Sequence, residues 1–147
     1  MKIGLRCPLC KGEIQVESKP DLDKMTAECP HCHTKQLIGD FLPRYCLRVG
    51  TQNYQLRFGR QWVGRKNDSN DAEVQIPDES CYMSRKHAVV ELKCTSSGIR
   101  CTFEEHGKNP TSLQGVGLIE GDIVYLNIND CLQLGGQKMY LAYEYQD

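Results

Sequence analysis

The hydrophobic and polar positions along this chain alternate as they do in strands. Tyr45, Leu47 and Val49 alternate with Cys46 and Arg48, and Ile99, Cys101 and Phe103 alternate with Arg100, Thr102 and Glu104. Near the end, Met139, Leu141, Tyr143 and Tyr145 share one parity. A period of two sends one face of each segment to a core and the other to water. Val74–Ile76, residues 88–92, Ile123–Leu126 and Cys131–Leu134 are further short apolar runs bounded by turn formers. No long segment repeats apolar residues at i, i+3, i+4 and i+7, so a helical reading fails almost everywhere. The prediction is an all-β chain, with a sandwich or barrel built from many short strands. The polar run at residues 66–71 reads as a loop.

Cysteine placement divides the chain. Of nine cysteines in 147 residues, Cys7/Cys10 and Cys29/Cys32 form two C-x-x-C pairs, while Cys46, Cys81, Cys94, Cys101 and Cys131 are single. The change comes at residues 39–43, which predicts a small module over 1–40 and a strand-rich domain over 44–147. An odd total and tight pairs argue against a secreted disulfide scaffold and favour metal binding in a reducing compartment. A redox C-x-x-C needs a βαβ context that is absent. Two residues between cysteines let one turn aim both sulfurs at one ion, and two such turns complete a tetrahedron. The expected strands between the pairs are residues 13–16 and 24–28, pairing around a turn at Lys19, Pro20 and Asp21. This layout resembles a zinc ribbon, with Cys7, Cys10, Cys29 and Cys32 as ligands of one structural zinc ion. Four protein ligands leave no open position for catalytic water, and His31 and His33 are read as surface residues. So short a module cannot bury a sufficient core, so the metal is expected to supply much of its stability.

Charge narrows the function. Lys and Arg total 18 and Asp and Glu 19, for a net charge of -1. Residues 1–40 hold six basic and six acidic side chains, and no aromatic residue precedes Phe41. A nucleic-acid-associated adaptor working through the ribbon lacks the cations and stacking rings it needs, so no nucleic-acid partner is expected. No apolar run approaches the ~20 residues of a membrane span, and the first residues lack a signal-peptide core. The expectation is a soluble, cytoplasmic protein with no membrane partner.

Three short motifs follow in fixed order in the second part: Gly64-Arg65 at a strand end, Ser84-Arg85-Lys86-His87 before an apolar strand, and Lys108-Asn109-Pro110-Thr111. Arg65 and Arg85 bring planar cationic forks, Ser84 a hydroxyl and Asn109 an amide to loops at strand ends. With the later Leu118, Gly121-Asp122-Ile123 and Leu126, these motifs resemble the forkhead-associated (FHA) domain, an antiparallel β-sandwich that reads phosphothreonine in partner proteins. The resemblance implies that Arg65, Ser84 and Arg85 contact phosphate and that Asn109, with Lys108 alongside, grips the peptide. It makes Gly64 and His87 structural supports and Tyr82 a candidate for peptide specificity. Pro110 replaces the usual glycine and removes one N–H donor, and Gln114-Gly115 replaces a later Asn-Gly. The implied role is a non-enzymatic phosphopeptide adaptor. The alternative is a structural or oligomerisation domain of the same fold without phosphate binding. A Ser84–His87 catalytic pair would need an orienting acid or nucleophile elbow, and neither pattern is present. His106 and the remaining Asp and Glu residues are read as solvated, and the single cysteines as small core residues, with Cys81 the exception near cations.

Overall fold

The computed structural model describes residues 1–144, so Tyr145 and the end of the expected 44–147 span lie outside the described residues. The chain begins with two hairpins. Strand β1 (Lys2–Arg6) pairs with β2 (Glu13–Glu17), and β3 (Thr26–Glu28) pairs with β4 (Lys35–Leu37). This corrects the expected pairing of residues 13–16 with 24–28. The reason is local. In each C-x-x-C turn the first cysteine's N–H donates to a carbonyl five residues on, Gly12 O or Thr34 O, at 2.9 Å in both. Its carbonyl in turn accepts from Lys11 N or His33 N, and both those residues adopt left-handed backbone, at φ 63° and 65°. Each turn therefore closes its own hairpin from the strands on either side. The segment between hairpins crosses over through a 3-10 turn at Leu22–Lys24, which buries Leu22.

Among the described residues, eleven strands follow in two sheets. These are β5 (Arg44–Val49), β6 (Gln52–Gln55), β7 (Gly59–Arg65), β8 (Val74–Ile76), β9 (Ala88–Thr95), β10 (Gly98–Glu105), β11 (Ser112–Leu113), β12 (Val116–Gly117), β13 (Ile123–Leu126), β14 (Cys131–Leu134) and β15 (Gln137–Glu144). One sheet has the order β13-β10-β9-β7-β8, the other β12-β11-β14-β15-β5-β6. All pairings are antiparallel except β7 with β8, which is parallel because residues 66–73 carry the chain back before it pairs. Alternating residues of both sheets, among them Leu47, Val63, Val90, Phe103, Leu132 and Met139, fill the space between them and are fully buried. Each such side chain contributes about 1.5–3 kcal/mol of transfer free energy.

A second apolar cluster unites the hairpin module with one end of the sandwich. Leu5, Cys7, Leu22, Cys29, Ile38, Phe41 and Leu42 pack with Cys94 of β9, and Phe58 and Ile99 border both clusters. Residues 39–43 are thus not a loose connection: helical turn α1 (Ile38–Phe41) buries Ile38 and Phe41. The Ser18 hydroxyl donates to Thr95 O, and the Met1 ammonium to Ser96 O at 3.4 Å. These contacts lie at the far end of β9 from its first residue, Ala88, roughly 25 Å along eight residues of strand. None of the helices described here is long and apolar enough to cross a membrane.

Phe41→Ala should cost the module at residues 1–42 about 3–5 kcal/mol. Hydrogen exchange should show its amides losing protection while those of β10 and β15 keep theirs; uniform loss across the chain would contradict two separate cores.

Candidate functional site

Three loops meet at the end of the sandwich opposite the hairpin module: residues 66–73 after β7, 77–87 before β9 and 106–111 after β10. Between the second and third of these, beside the end of β7, lies a depression of about 520 Å³ whose wall includes Arg65, Tyr82, Ser84, Arg85, Lys108 and Asn109. The five positions singled out in the sequence for phosphate or peptide contact, and Tyr82, the candidate for specificity, are therefore neighbours here. Arg65, at the end of β7, is bonded through its main-chain N–H to Ser84 O at 2.9 Å and through Nε to Met83 O at 3.1 Å. Those bonds hold the guanidinium against the loop. Lys108 N donates to Ser84 Oγ at 3.0 Å, so the hydroxyl hydrogen of Ser84 remains to donate outward. Asn109 Nδ2 donates to Tyr82 O at 3.0 Å, which leaves its Oδ1 as an acceptor. Arg65, Arg85 and Lys108 have no ion-pair partner among the described residues.

The support beneath this wall is buried and polar. Gly64 lies so close to the loop that a Cβ there would sit 1.6 Å from Arg85 O, which excludes any side chain without moving the loop. His87 is fully buried; its Nδ1 accepts the Ser84 N–H at 3.0 Å, and Nε2 faces Thr111 Oγ1 at 2.9 Å and Glu105 Oε1 at 3.4 Å. A nitrogen that accepts an N–H carries no proton, so His87 is the neutral Nε2–H tautomer, and Nε2 donates to Thr111. Burial holds its pKa below the ordinary value, against the opposing pull of Glu105 and Asp78. His87 contacts the main chain of Ser84 rather than its hydroxyl, so this is not a nucleophile–base pair.

Two supporting carboxylates escaped the sequence reading, which took the remaining acids to be solvated. Glu105 is fully buried and accepts from Gly107 N at 3.0 Å and Thr111 N at 2.5 Å, pinning the third loop. The signal was available: Glu105 continues the inward parity of Cys101 and Phe103. Asp78 accepts from Ser80 and from Met83 N at 2.9 Å and Gly136 N at 3.3 Å. Burial raises its pKa, but these bonds outweigh burial and hold the carboxyl below its usual range. The reading of His106 as solvated is corrected as well. Its ring lies 5.3 Å from Trp62, with Nε2 2.8 Å from Glu104 and Nδ1 3.0 Å from Glu120. Hydrogen bonding to Glu104 first, then Glu120, raises its pKa, and His106 in turn holds Glu104 below the usual carboxylate range. Cys81 is exposed in left-handed backbone at φ 61°, whereas Cys46, Cys94 and Cys101 are buried.

The four paired cysteines form a second centre. All four sulfurs lie within 4.8 Å of one another, with Cys7–Cys32 at 3.7 Å and Cys10–Cys29 at 3.6 Å. A tetrahedron with metal–sulfur bonds of ~2.3 Å has edges of about 3.8 Å, so the cluster fits one ion. Gly12 N and His31 N each approach a sulfur at 3.4 Å, the contacts a thiolate attracts. His31 and His33 are exposed, and His31 Nε2 faces Glu13 O at 3.3 Å rather than the sulfurs.

The two histidines should titrate in opposite senses. His87 contributes stability that is present above the ordinary imidazole pKa of about 6.5 and is lost as pH falls through its lowered folded value. The His106 contribution is complete below about 6.5 and disappears as pH rises through its raised value. Long-range proton–nitrogen spectra should show His87 as the Nε2–H tautomer at pH 7 and titrating below the ordinary imidazole value, with His106 titrating above it. Ordinary titration of His87 would overturn the network.

No protein-family profile matches this sequence, and no curated protein matches it either. Solved structures do match. The MEK1 FHA domain, in complex with a HOP1 phosphothreonine peptide, superposes with a TM-score of 0.57 at 20% identity, covering 69% of this chain and 98% of that one. The yeast splicing factor Pml1 gives 0.58 at 18% identity, over 71% of this chain and 80% of that one. The FHA domain of CT664 from Chlamydia trachomatis gives 0.53 at 22% identity, over 67% and 96%. The sandwich from Arg44 onward thus has the FHA fold, preceded by a ribbon-like module whose four cysteines can hold a metal ion.

Proposed function

We propose that this protein is a non-enzymatic signalling adaptor that docks a phosphothreonine segment of a partner protein through the loops at one end of its sandwich. The observation that carries this reading is the convergence of Arg65, Arg85 and Lys108, without ion-pair partners among the described residues, around the Ser84 hydroxyl. A phosphate brings about −1.5 to −2 charges and three acceptor oxygens to such a set. Arg65 and Arg85 pair with it, Ser84 donates its hydroxyl, and Asn109 accepts a main-chain N–H beside the phosphothreonine, with Lys108 as a flanking cation. Gly64 and His87 hold the loop, and Tyr82 borders the peptide's path. Charge-assisted bonds are worth ~1.5–3 kcal/mol each, and three or four of them less ordering costs suit an affinity on the order of −8 kcal/mol. The solved MEK1 FHA domain with a HOP1 phosphothreonine peptide supports the reading by analogy of fold.

In this reading, residues 1–40 are a ribbon module and 44–147 the reader. Cys7, Cys10, Cys29 and Cys32 hold one structural zinc, which supplies cross-links in place of a larger core. None of the nine cysteines is paired in a disulfide, which suits the reducing cytoplasm.

A phosphothreonine peptide library should yield micromolar binders by calorimetry. Arg65→Ala should cost about 2–5 kcal/mol, and phosphoserine versions should bind more weakly because the β-branched residue loses less rotamer freedom. Failure of the wild-type protein to retain any phosphopeptide would sink the proposal, as would self-association indifferent to phosphatase treatment.

Metal analysis should find one equivalent of zinc. Cys29→Ser should lose it and unfold residues 1–38, leaving the sandwich folded with Cys94 newly exposed to thiol reagents. Full retention of metal would refute the ligand set.

A further inference from the structure

His106 faces two carboxylates at once. Its Nε2 lies 2.8 Å from Glu104 Oε2 on β10, and its Nδ1 lies 3.0 Å from Glu120 Oε1 in the turn before β13. An ionised carboxylate only accepts, and a neutral imidazole has one N–H to give. Both bonds are therefore made only by the imidazolium, whose two ring nitrogens both donate. When the proton is lost, one nitrogen turns a lone pair toward a carboxylate. Glu104 is the better held of the two acids: it is 21% exposed and also paired with Arg60 at 3.3 Å, whereas Glu120 is 65% exposed. The bond to Glu120 is the one that opens.

The other neighbours of the ring tie it to the phosphate loops. Trp62 of β7 lies 5.3 Å away, and Lys86, in the loop before β9, stands 5.6 Å from the same indole while paired with Asp71 at 3.2 Å. The His106 main-chain N–H donates to His87 O at 2.8 Å, beside the buried support of Ser84. Lys108 and Asn109 follow His106 by two and three residues. The ring itself lines the same depression as Arg65, Ser84 and Arg85. His106 thus stands where the third loop leaves β10, with its side chain in the wall of the site.

We propose that His106 is a positioning residue of the phosphate site: its proton locks the third loop to Glu120 and keeps a further cation in the wall, so a phosphothreonine segment binds best while His106 is charged. The inference rests on the reading of this depression as a phosphothreonine site. Two effects act in the same direction. Loss of the proton makes the wall less positive by one charge, and it frees the turn at Glu120 from the root of the loop that carries Lys108 and Asn109. By linkage, a bound phosphate strengthens the hold of His106 on its proton. The second ionisation of the phosphate, near pH ~6, works the other way, as does His87, which must stay neutral. Affinity therefore rises through the acid range and falls again as His106 titrates above the ordinary imidazole value of about 6.5.

The test is calorimetry on the zinc-loaded full chain with the tightest phosphothreonine peptide of the library, from about pH 6 to about pH 9. Cys81 shares the depression, so every protein compared carries Cys81→Ser to take that thiol out of the profile. The expected result is an affinity about fivefold weaker at the alkaline end than at pH 7, with net proton uptake on binding along that descending limb. His106→Gln should bind weakly at every pH and lose the limb. His106→Arg, a permanent cation, should restore affinity without the limb. Glu120→Gln changes an exposed side chain, leaves the fold intact and should move the limb to lower pH, because an amide tolerates the neutral ring. A merely structural residue would lower affinity by one factor at all pH values. An affinity that is flat above pH 7 in the His106 protein, or a limb that survives in His106→Gln, overturns the proposal. Absence of phosphopeptide binding at every pH is a different outcome, and it overturns the phosphothreonine reading beneath it.

Discussion

The hydrogen bond from the Ser84 N–H to the ring of His87 is the contact on which the loop end of this molecule depends. It takes a donor that the strand ladder does not use and satisfies it inside the protein, at a residue of zero exposure. The other ring nitrogen and Glu105 carry the tie onward to Thr111, so two loops distant in sequence are referenced to one buried ring. Asp78 does the same for the first part of the β8–β9 loop through Met83 and Gly136. Leaving one such buried group unpaired costs ~1–3 kcal/mol, and no buried side-chain nitrogen or oxygen among the described residues is left so. The consequence is a rigid rim on which exposed cations are presented without being neutralised. Pre-organised cations lose less entropy when they meet an anion, which is the physical basis of the proposed phosphate reading.

The opposite end is organised by apolar contact and by sulfur. Cys7 and Cys29 face inward to the cluster that holds Phe41 and Cys94, while Cys10 and Cys32 face out. A metal held there stiffens a module seated on β9, the strand that begins beside His87. One strand thereby spans both centres, and the sandwich acts as a spacer between a cationic rim and a ribbon-like cap.

Much of the fold was legible because strand parity is local. Inward residues of β5 and β10 fall where the alternation puts them, and the four sulfurs meet where their spacing predicts. The ribbon pairing was misread because each C-x-x-C turn closes its flanking strands on itself, and composition between the pairs does not encode that choice. At the site, the six wall residues were visible as motifs in the FHA resemblance. Glu105 and Asp78 were missed because an acid's burial depends on which N–H groups turn toward it, and His106 because its partners Glu104 and Glu120 come together only when β10 and the turn before β13 meet.

By itself the sequence determined the strands, the turns between them, the four-sulfur set and the order of the cationic motifs, since each is written in neighbouring residues. Tertiary structure decided which of those residues share a surface. Arg65, Ser84 and Lys108 are brought together by sheet order and by a buried histidine. The bridge from Glu104 through His106 to Glu120 exists only because β10 pairs with β13. Such long-range arrangement follows from packing and the satisfaction of buried polar groups, which no local window of sequence contains.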